Sequence, residues 1–254
     1  MKKKVLIGLA LVVLLPVLSL GVGLFLTMRG LSPMPADGQD LAGGARAVSD
    51  GFTVSYLLPY AGGVALVDCG NDEKGAAILA ELKKRSLGAD DVKAIFLTHG
   101  HADHTAACHL FTKAEVYAFP ADVELAAGNA RSRGPLPRWV GMPADKKIKV
   151  TKTLTDGEVV TLGDRDVVAF AVPGHTAGSA SYFSKGLLMM GDNAQAQTDG
   201  ALRPAMWLFT DDADQNKRSL HELAGKIHDC GDRVDNIGCA HSGPLTGSKA
   251  LEAL

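Results

Sequence analysis

The segment Thr98-His99-Gly100-His101-Ala102-Asp103-His104 follows directly on an apolar stretch that reads as a short strand over Val92–Thr98. Three imidazoles and a carboxylate within six positions are hard to explain as packing. Any fold for this chain must therefore end a strand where these side chains can share one task. His99 and His101 are two apart in extended chain, so their side chains point the same way and suit a two-pronged grip on one metal ion. Asp103 and His104 come where the chain turns into a helix and can face a second ion beside the first. On its own, Asp103 also reads as the N-cap of a helix starting near Thr105. Imidazole with carboxylate suits zinc, and also iron or manganese. Gly100 and Ala102 keep the loop small enough to gather the ligands.

The N-terminus carries a second strong signal. Lys2, Lys3 and Lys4 precede an uncharged run from Val5 to Met28. As helix, such a run spans about 36 Å, against a hydrocarbon core of about 30 Å. The apolar region of a cleaved signal peptide is shorter. Residues 1–29 are thus expected to be a transmembrane anchor, with cleavage as the alternative. Lysines before the run put the N-terminus in the cytoplasm and the following domain outside, in a periplasmic or extracellular space. Without Lys2, Lys3, Lys4 and Arg29, the net charge of −2 becomes −6. An acidic domain argues against nucleic acid as a partner. Disulfides are permitted outside the cytoplasm. Of the four cysteines, Cys230 and Cys239 are close enough in sequence for a bridge, and four buried thiols are the alternative.

Residues 30–50 are rich in Gly, Ala, Pro and Asp without periodicity and read as a linker; residues 51–254 read as the domain. Strands are predicted at Phe52–Leu58 and Gly63–Val67. Lys74–Leu87 has Ile78, Leu79 and Leu82 on one helical face. Thr105–Thr112 reads as helix, Glu115–Phe119 as strand, and residues 128–147 as a long loop. Strands resume at Val159–Leu162, Asp166–Val172, Ser179–Phe183 and Gly186–Met190. After an irregular stretch over 193–213, Leu220, Leu223, Ala224 and Ile227 mark a helix face, followed by a strand at Val234–Cys239 and a short helix. This α/β order admits two sheets sandwiched by helices or an α+β domain.

His-x-His-x-Asp-His after an apolar strand resembles the hallmark of the metallo-β-lactamase superfamily, and further landmarks of that family follow in order. Asp68-Cys69-Gly70 resembles its Asp-Thr-Gly turn. Pro173-Gly174-His175-Thr176-Ala177-Gly178-Ser179, Met190-Gly191-Asp192 and Ala240-His241-Ser242-Gly243-Pro244 resemble its later motifs. The resemblance runs from about residue 52 to 245. It implies a four-layer αβ/βα sandwich and a binuclear zinc hydrolase. His99, His101 and His175 would hold the first metal, Asp103, His104 and His241 the second, and Asp192 would bridge them. A hydroxide between the two ions would attack an ester, thioester, lactone or phosphodiester in a small-molecule substrate, with Asp103 orienting it and taking its proton. Asp68 would orient a ligand rather than be one. His109, His221 and His228 lack motif context and read as surface or packing residues.

The drug-hydrolysing subclass with a cysteine ligand has Cys where this chain has Asp192, and subclasses without that cysteine generally lack the bridging aspartate; β-lactam hydrolysis is not favoured. The chain runs only thirteen residues past His241, which leaves out the helical glutathione domain of glyoxalase II. Arg131, Arg133, Arg138 and Trp139 lie on one long loop, and Arg203, Met206 and Trp207 on the other. These are candidates for substrate contact or for plain solvation and packing. Two other readings of the ligand set stand beside hydrolysis: an iron-dependent oxidoreductase of the persulfide dioxygenase type, and a non-catalytic metal-binding module. Neither oligomeric state nor substrate identity follows from the sequence.

Overall fold

The computed structural model describes residues 14, 15, 17–19, 21–25, 28–139, 148–229, 231 and 233–254. Two six-stranded mixed sheets face each other. The first has strand order β1 (Arg46–Asp50), β2 (Thr53–Tyr60), β3 (Gly63–Val67), β4 (Val92–Phe96), β5 (Glu115–Ala118), β6 (Lys152–Thr153). The second runs β14 (Leu245–Thr246), β13 (Asn236–Gly238), β10 (Leu187–Met189), β9 (Ala180–Ser184), β8 (Arg165–Ala171), β7 (Glu158–Leu162). A small hairpin pairs β11 (Ala194–Ala196) with β12 (Leu202–Pro204).

Period-two alternation sorts the apolar side chains into layers. From β2, β3 and β4, Val54, Tyr56, Leu58, Ala65, Val67, Ala94 and Phe96 face inward and meet Val167, Ala169, Tyr182, Leu187 and Met189 of the opposite sheet. The alternate residues Leu57, Leu66 and Ile95 face outward, where Ile78 and Leu82 of helix α1 (Ala76–Lys84) and Phe111 cover them. On the other outer face, Phe170, Leu188 and Ile237 pack with Leu223 and Ile227 from a 17-residue helix, Ala213–Asp229. Helix, sheet, sheet, helix is the four-layer order that the resemblance implied. At about 0.8 kcal/mol for each buried methylene, three such clusters are the main favourable term for the fold.

Three expectations change. The segment expected as a linker over 30–50 is domain from residue 41 onward. Leu41, Ala45 and Ala47 are core, and β1 pairs with β2 from Arg46↔Leu57 to Asp50↔Thr53. Small residues hid this strand, because alanine contributes little to a hydropathy pattern. The helix expected over Thr105–Thr112 is two short pieces, α2 (Ala102–Thr105) and a 3-10 turn at Cys108–Leu110. The disulfide is Cys69–Cys108, across 39 positions, and Cys239 is a buried free thiol, so the Cys230–Cys239 bridge is not formed. Cys69 and Cys108 meet because Cys69 N–H donates to the His104 carbonyl (2.7 Å) and Ala107 N–H to the Cys69 carbonyl (3.3 Å). Among the described residues no helix is long and apolar enough to cross a membrane; most of the apolar run, residues 5–13 included, lies outside them.

Candidate metal centre

Every element that carries a motif residue delivers it at one edge of the sandwich. Asp68 follows β3, and His99 to His104 follow β4. His175 follows β8, Asp192 follows β10 and His241 follows β13. The seven residues singled out from the sequence form one contiguous cluster.

It has two halves. His99 Nε2 is 2.9 Å from His101 Nδ1, which is 3.2 Å from His175 Nε2, so three ring nitrogens converge on one point. Beside them, Asp103, His104 and His241 form a second group. His241 Nε2 lies 3.5 Å from Asp103 Oδ2, and His104 Nε2 3.7 Å from it. Asp192 sits between the halves. Its Oδ2 is 3.1 Å from His241 Nε2 and 3.6 Å from His175 Nε2, and its Oδ1 is 3.3 Å from His104 Nε2. His99, His104 and His175 are buried, whereas His241 and Asp103 keep about a quarter of their side-chain surface, 25% and 26%.

The outward nitrogens of four rings have protein partners. His104 Nδ1 meets Asp68 Oδ2 at 2.8 Å, and Asp68 also accepts from Thr98 N–H (2.8 Å) and Thr98 Oγ1 (2.7 Å). His99 Nδ1 is 3.1 Å from Thr98 Oγ1, His175 Nδ1 3.3 Å from Thr210 Oγ1, and His241 Nδ1 2.6 Å from the Phe52 carbonyl. Such contacts fix ring orientation and leave the opposite nitrogen for a ligand. Asp68 is therefore a supporting residue, as expected.

Gly100 is required by close approach. A Cβ there would lie 2.6 Å from the Ala126 amide nitrogen. Gly191 combines φ of 55° with a Cβ position 2.5 Å from Thr98 Oγ1, so only glycine lets Asp192 reach between the halves.

Sequence reasoning missed Asp122. This buried carboxylate accepts Gly100 N–H (2.7 Å) and the Thr176 hydroxyl (2.8 Å) on Oδ2, and Gly178 N–H (2.8 Å) on Oδ1. It ties the His99–His101 loop to the loop that carries His175. Burial pushes its pKa up, and three donated hydrogen bonds only partly offset that. In the sequence it is one more aspartate opening a helix, Val123–Ala126, and no spacing marks it. Thr210 lacked a signal for the same reason. His109, His221 and His228 are surface residues, as expected.

The two halves differ electrostatically. Burial, and for His99 the neighbouring imidazoles, hold the His99 and His101 pKa values below the ordinary range and His175 at about 3. Those three rings are neutral at pH 7. For His104, burial opposes protonation, but Asp192, Asp103 and Asp68 outweigh it and keep the pKa well above 6.5. His241 behaves alike: desolvation opposes, Asp192 prevails, and the pKa rises to about 9. Asp192 is held well below its usual value by His241 and His104 despite its burial.

The donor set fits cations. His104 Nε2 and Asp192 Oδ1, both buried and facing the cluster, have no well-formed hydrogen bond, which is costly in a protein-only network. Five imidazoles and two carboxylates facing one another match the chemistry of a pair of divalent ions.

Residues 48–234 match the family model for the metallo-beta-lactamase superfamily. The chain belongs to this superfamily. Solved structures of similar fold include a B3 metallo-beta-lactamase with an active-site glutamic acid (20% identity, 87% of this chain and 86% of that one, TM-score 0.66). Another is the Cronobacter sakazakii metallo-beta-lactamase with a HARLDQ motif (20%, 85% and 80%, 0.62). A third is BJP-1 of Bradyrhizobium japonicum, a subclass B3 enzyme (20%, 85% and 81%, 0.60). At such identity the likeness is one of fold, and this superfamily member's substrate has to be argued from its own residues.

Residues 131–139 of the first long loop and 206–211 of the second flank the His175 side of the cluster. Leu136 N–H donates to the Leu208 carbonyl (3.0 Å), and Asp211 Oδ1 accepts from Ser132 Oγ (2.6 Å) and Gly134 N–H (2.7 Å). Thr210 and Asp211 in turn contact His175. Arg131, Arg133, Arg138, Trp139, Arg203 and Trp207 are exposed, and Met206 is half-buried.

Proposed function

We propose that this chain is a binuclear zinc hydrolase acting on a small-molecule ester, thioester, lactone or phosphodiester. The observation that carries this reading is the convergence of five imidazoles and two carboxylates with buried, unsatisfied ligand atoms at its centre. His99, His101 and His175 would hold one ion, Asp103, His104 and His241 the other, and Asp192 would lie between them. A pair of zinc ions bound there supplies Lewis acidity and lowers the pKa of water towards about 7.

The protein's own groups do the rest. Asp103 faces the open side of the cluster, where it orients the attacking water and takes its proton. Asp68 and Thr98 keep His104 and His99 in the tautomers their positions require. Arg131, Arg133, Arg138 and Arg203, exposed on the two loops, are the candidates to hold an anionic group of the substrate. The apolar run before residue 29 tethers the domain to a membrane with the site outside the cytoplasm. The Cys69–Cys108 disulfide supports that compartment.

The test is elemental analysis of the purified full chain, followed by a screen of esters, thioesters, lactones, phosphodiesters and β-lactams. Two zinc ions per chain with hydrolysis, lost in His101→Ala together with metal, is the expected result. One iron per chain with sulfur oxidation would replace this reading by the dioxygenase one. Full metal occupancy with no turnover would leave a binding module.

A further inference from the structure

We propose that the mouth of the metal centre docks on a lipid bilayer and takes an amphiphilic ester from it; the substrate part of this proposal rests on the hydrolase reading above. Large exposed apolar side chains are not scattered over this molecule. Among the described residues they fall on the N-terminal helical stretch (Leu14, Leu15, Val17, Leu18, Val22, Leu24, Phe25, Met28) and at Phe52, Trp139 and Trp207, with Val159 alone elsewhere. Phe52 stacks on His241, with centroids 5.8 Å apart, and the tryptophans sit on the joined loops that contact His175. An apolar surface gathered in this way marks an interaction site.

The N-terminal segment is fastened to the same rim. Leu31 bridges to Gln197, Ser32 N–H donates to the Ala196 carbonyl (2.9 Å), and Thr198 N–H to the Gly30 carbonyl (2.8 Å). Ala196 N–H in turn donates to Ser242 Oγ (2.8 Å), next to His241. Higher up, a Cβ on Gly23 would lie 4.0 Å from Trp207 Cζ2. The apolar run therefore leaves the domain beside the metal mouth, not from the opposite pole.

The composition of the rim is that of a membrane interface. Trp139 and Trp207, 79% and 51% exposed, share their loops with exposed Arg131, Arg133, Arg138 and Arg203. Tryptophan is enriched at headgroup depth, and arginine is attracted to anionic headgroups. The acids nearby are Asp199, exposed on the hairpin turn; Asp211, engaged by Ser132, the Gly134 amide and Arg133; Asp212, which accepts from Gln215 N–H; Asp214, paired with Lys217; and Glu124, which accepts from Asn129. This rim gathers four exposed arginines and both tryptophans of the chain. An ester at headgroup depth would meet Asp103 and His241, the more exposed members of the centre, while its apolar chain lay along Trp207.

The chain's two tryptophans are both on the rim, so intrinsic fluorescence reports on it directly. The full chain is reconstituted in vesicles of phosphatidylcholine and phosphatidylglycerol, with or without bromine on the acyl chains near the headgroup. Brominated lipid is expected to quench emission by roughly half or more, and Trp139→Phe, which leaves Trp207 alone, keeps the quenching. Emission indifferent to bromine while the protein floats with the vesicles overturns the docking. In a second arm, kcat/KM is compared for p-nitrophenyl butyrate and decanoate. A chain half-covered by the rim gains about twofold per methylene, or roughly 60-fold in all, and Trp207→Ala cuts that ratio about tenfold. Equal rates on the two esters overturn the amphiphilic substrate and leave the hydrolase reading intact. No turnover of either ester with metal bound overturns the amphiphilic ester; the hydrolase reading falls with it only when the thioester, lactone and phosphodiester screen above is also blank, and the fluorescence arm still decides the docking.

Discussion

Replacing Asp122 by alanine leaves the Gly100 and Gly178 amides buried without an acceptor; the Thr176 hydroxyl keeps Ser179 Oγ at 2.8 Å. Each orphaned donor costs about 1–3 kcal/mol. Against that stands relief from burying a charge whose pKa burial has raised. The net expectation is a loss of about 2–4 kcal/mol, or a Tm roughly 4–16 °C lower for a domain of this size. Asp122→Asn keeps the shape and one acceptor position but points an NH2 group at one amide, so its loss is about 1–3 kcal/mol. Because Gly100 lies between His99 and His101, and Gly178 follows His175, both variants also loosen the three-histidine group. Zinc affinity there, measured by chelator competition, should fall about 10–100-fold. Thermal melts of the metal-free protein and the chelator titration are read side by side. A Tm within 2 °C of the parent (about 1 kcal/mol or less) and an affinity within about twofold for Asp122→Ala would refute the claim that this carboxylate holds the two loops together.

Four further outcomes are expected. The Asp103–His104–His241 half carries about two protons at pH 7 when empty, since His104 is held well above 6.5 and His241 at about 9. Loading it should release them, with affinity rising steeply from pH 6 to 9, while the His99–His101–His175 half loads with little pH dependence; calorimetry in buffers of different ionisation heat checks this, and a flat second step refutes it. By the same shifts, the stability that His241 gives the metal-free protein is complete below pH 6.5 and lost as pH climbs through about 9, which melts across that range will show. Cys69→Ala with Cys108→Ala frees a 39-residue loop in the unfolded chain and should cost about 4 kcal/mol in thermal or denaturant unfolding. Asp103→Asn should keep zinc in the three-histidine half, by elemental analysis, and lower kcat at least about 100-fold.

The candidate centre was legible because its residues are local or carry their own punctuation. His99, His101, Asp103 and His104 are adjacent in sequence, and His175, Asp192 and His241 each sit in a glycine-marked turn after an apolar strand. Strands on both sides of the sandwich core showed the same legibility, since alternation of large side chains is a property of the strand itself. β1 was missed because Ala47 carries little hydropathic weight beside Arg46, Ser49 and Asp50, and Ala47, like Ala45 just before the strand, is core only because the opposite sheet covers it.

The sequence by itself determined which donor groups exist, their spacing along each turn, and the sheet faces they bracket. Tertiary structure alone decided which cysteine meets Cys69, that Asp122 clasps two distant loops, and that the Trp139 and Trp207 loops and the N-terminal segment share one rim. These are contacts between segments far apart in the chain. Their energy depends on what burial and distance do to a carboxylate, a thiol or an indole once the layers have closed, and no local pattern encodes that.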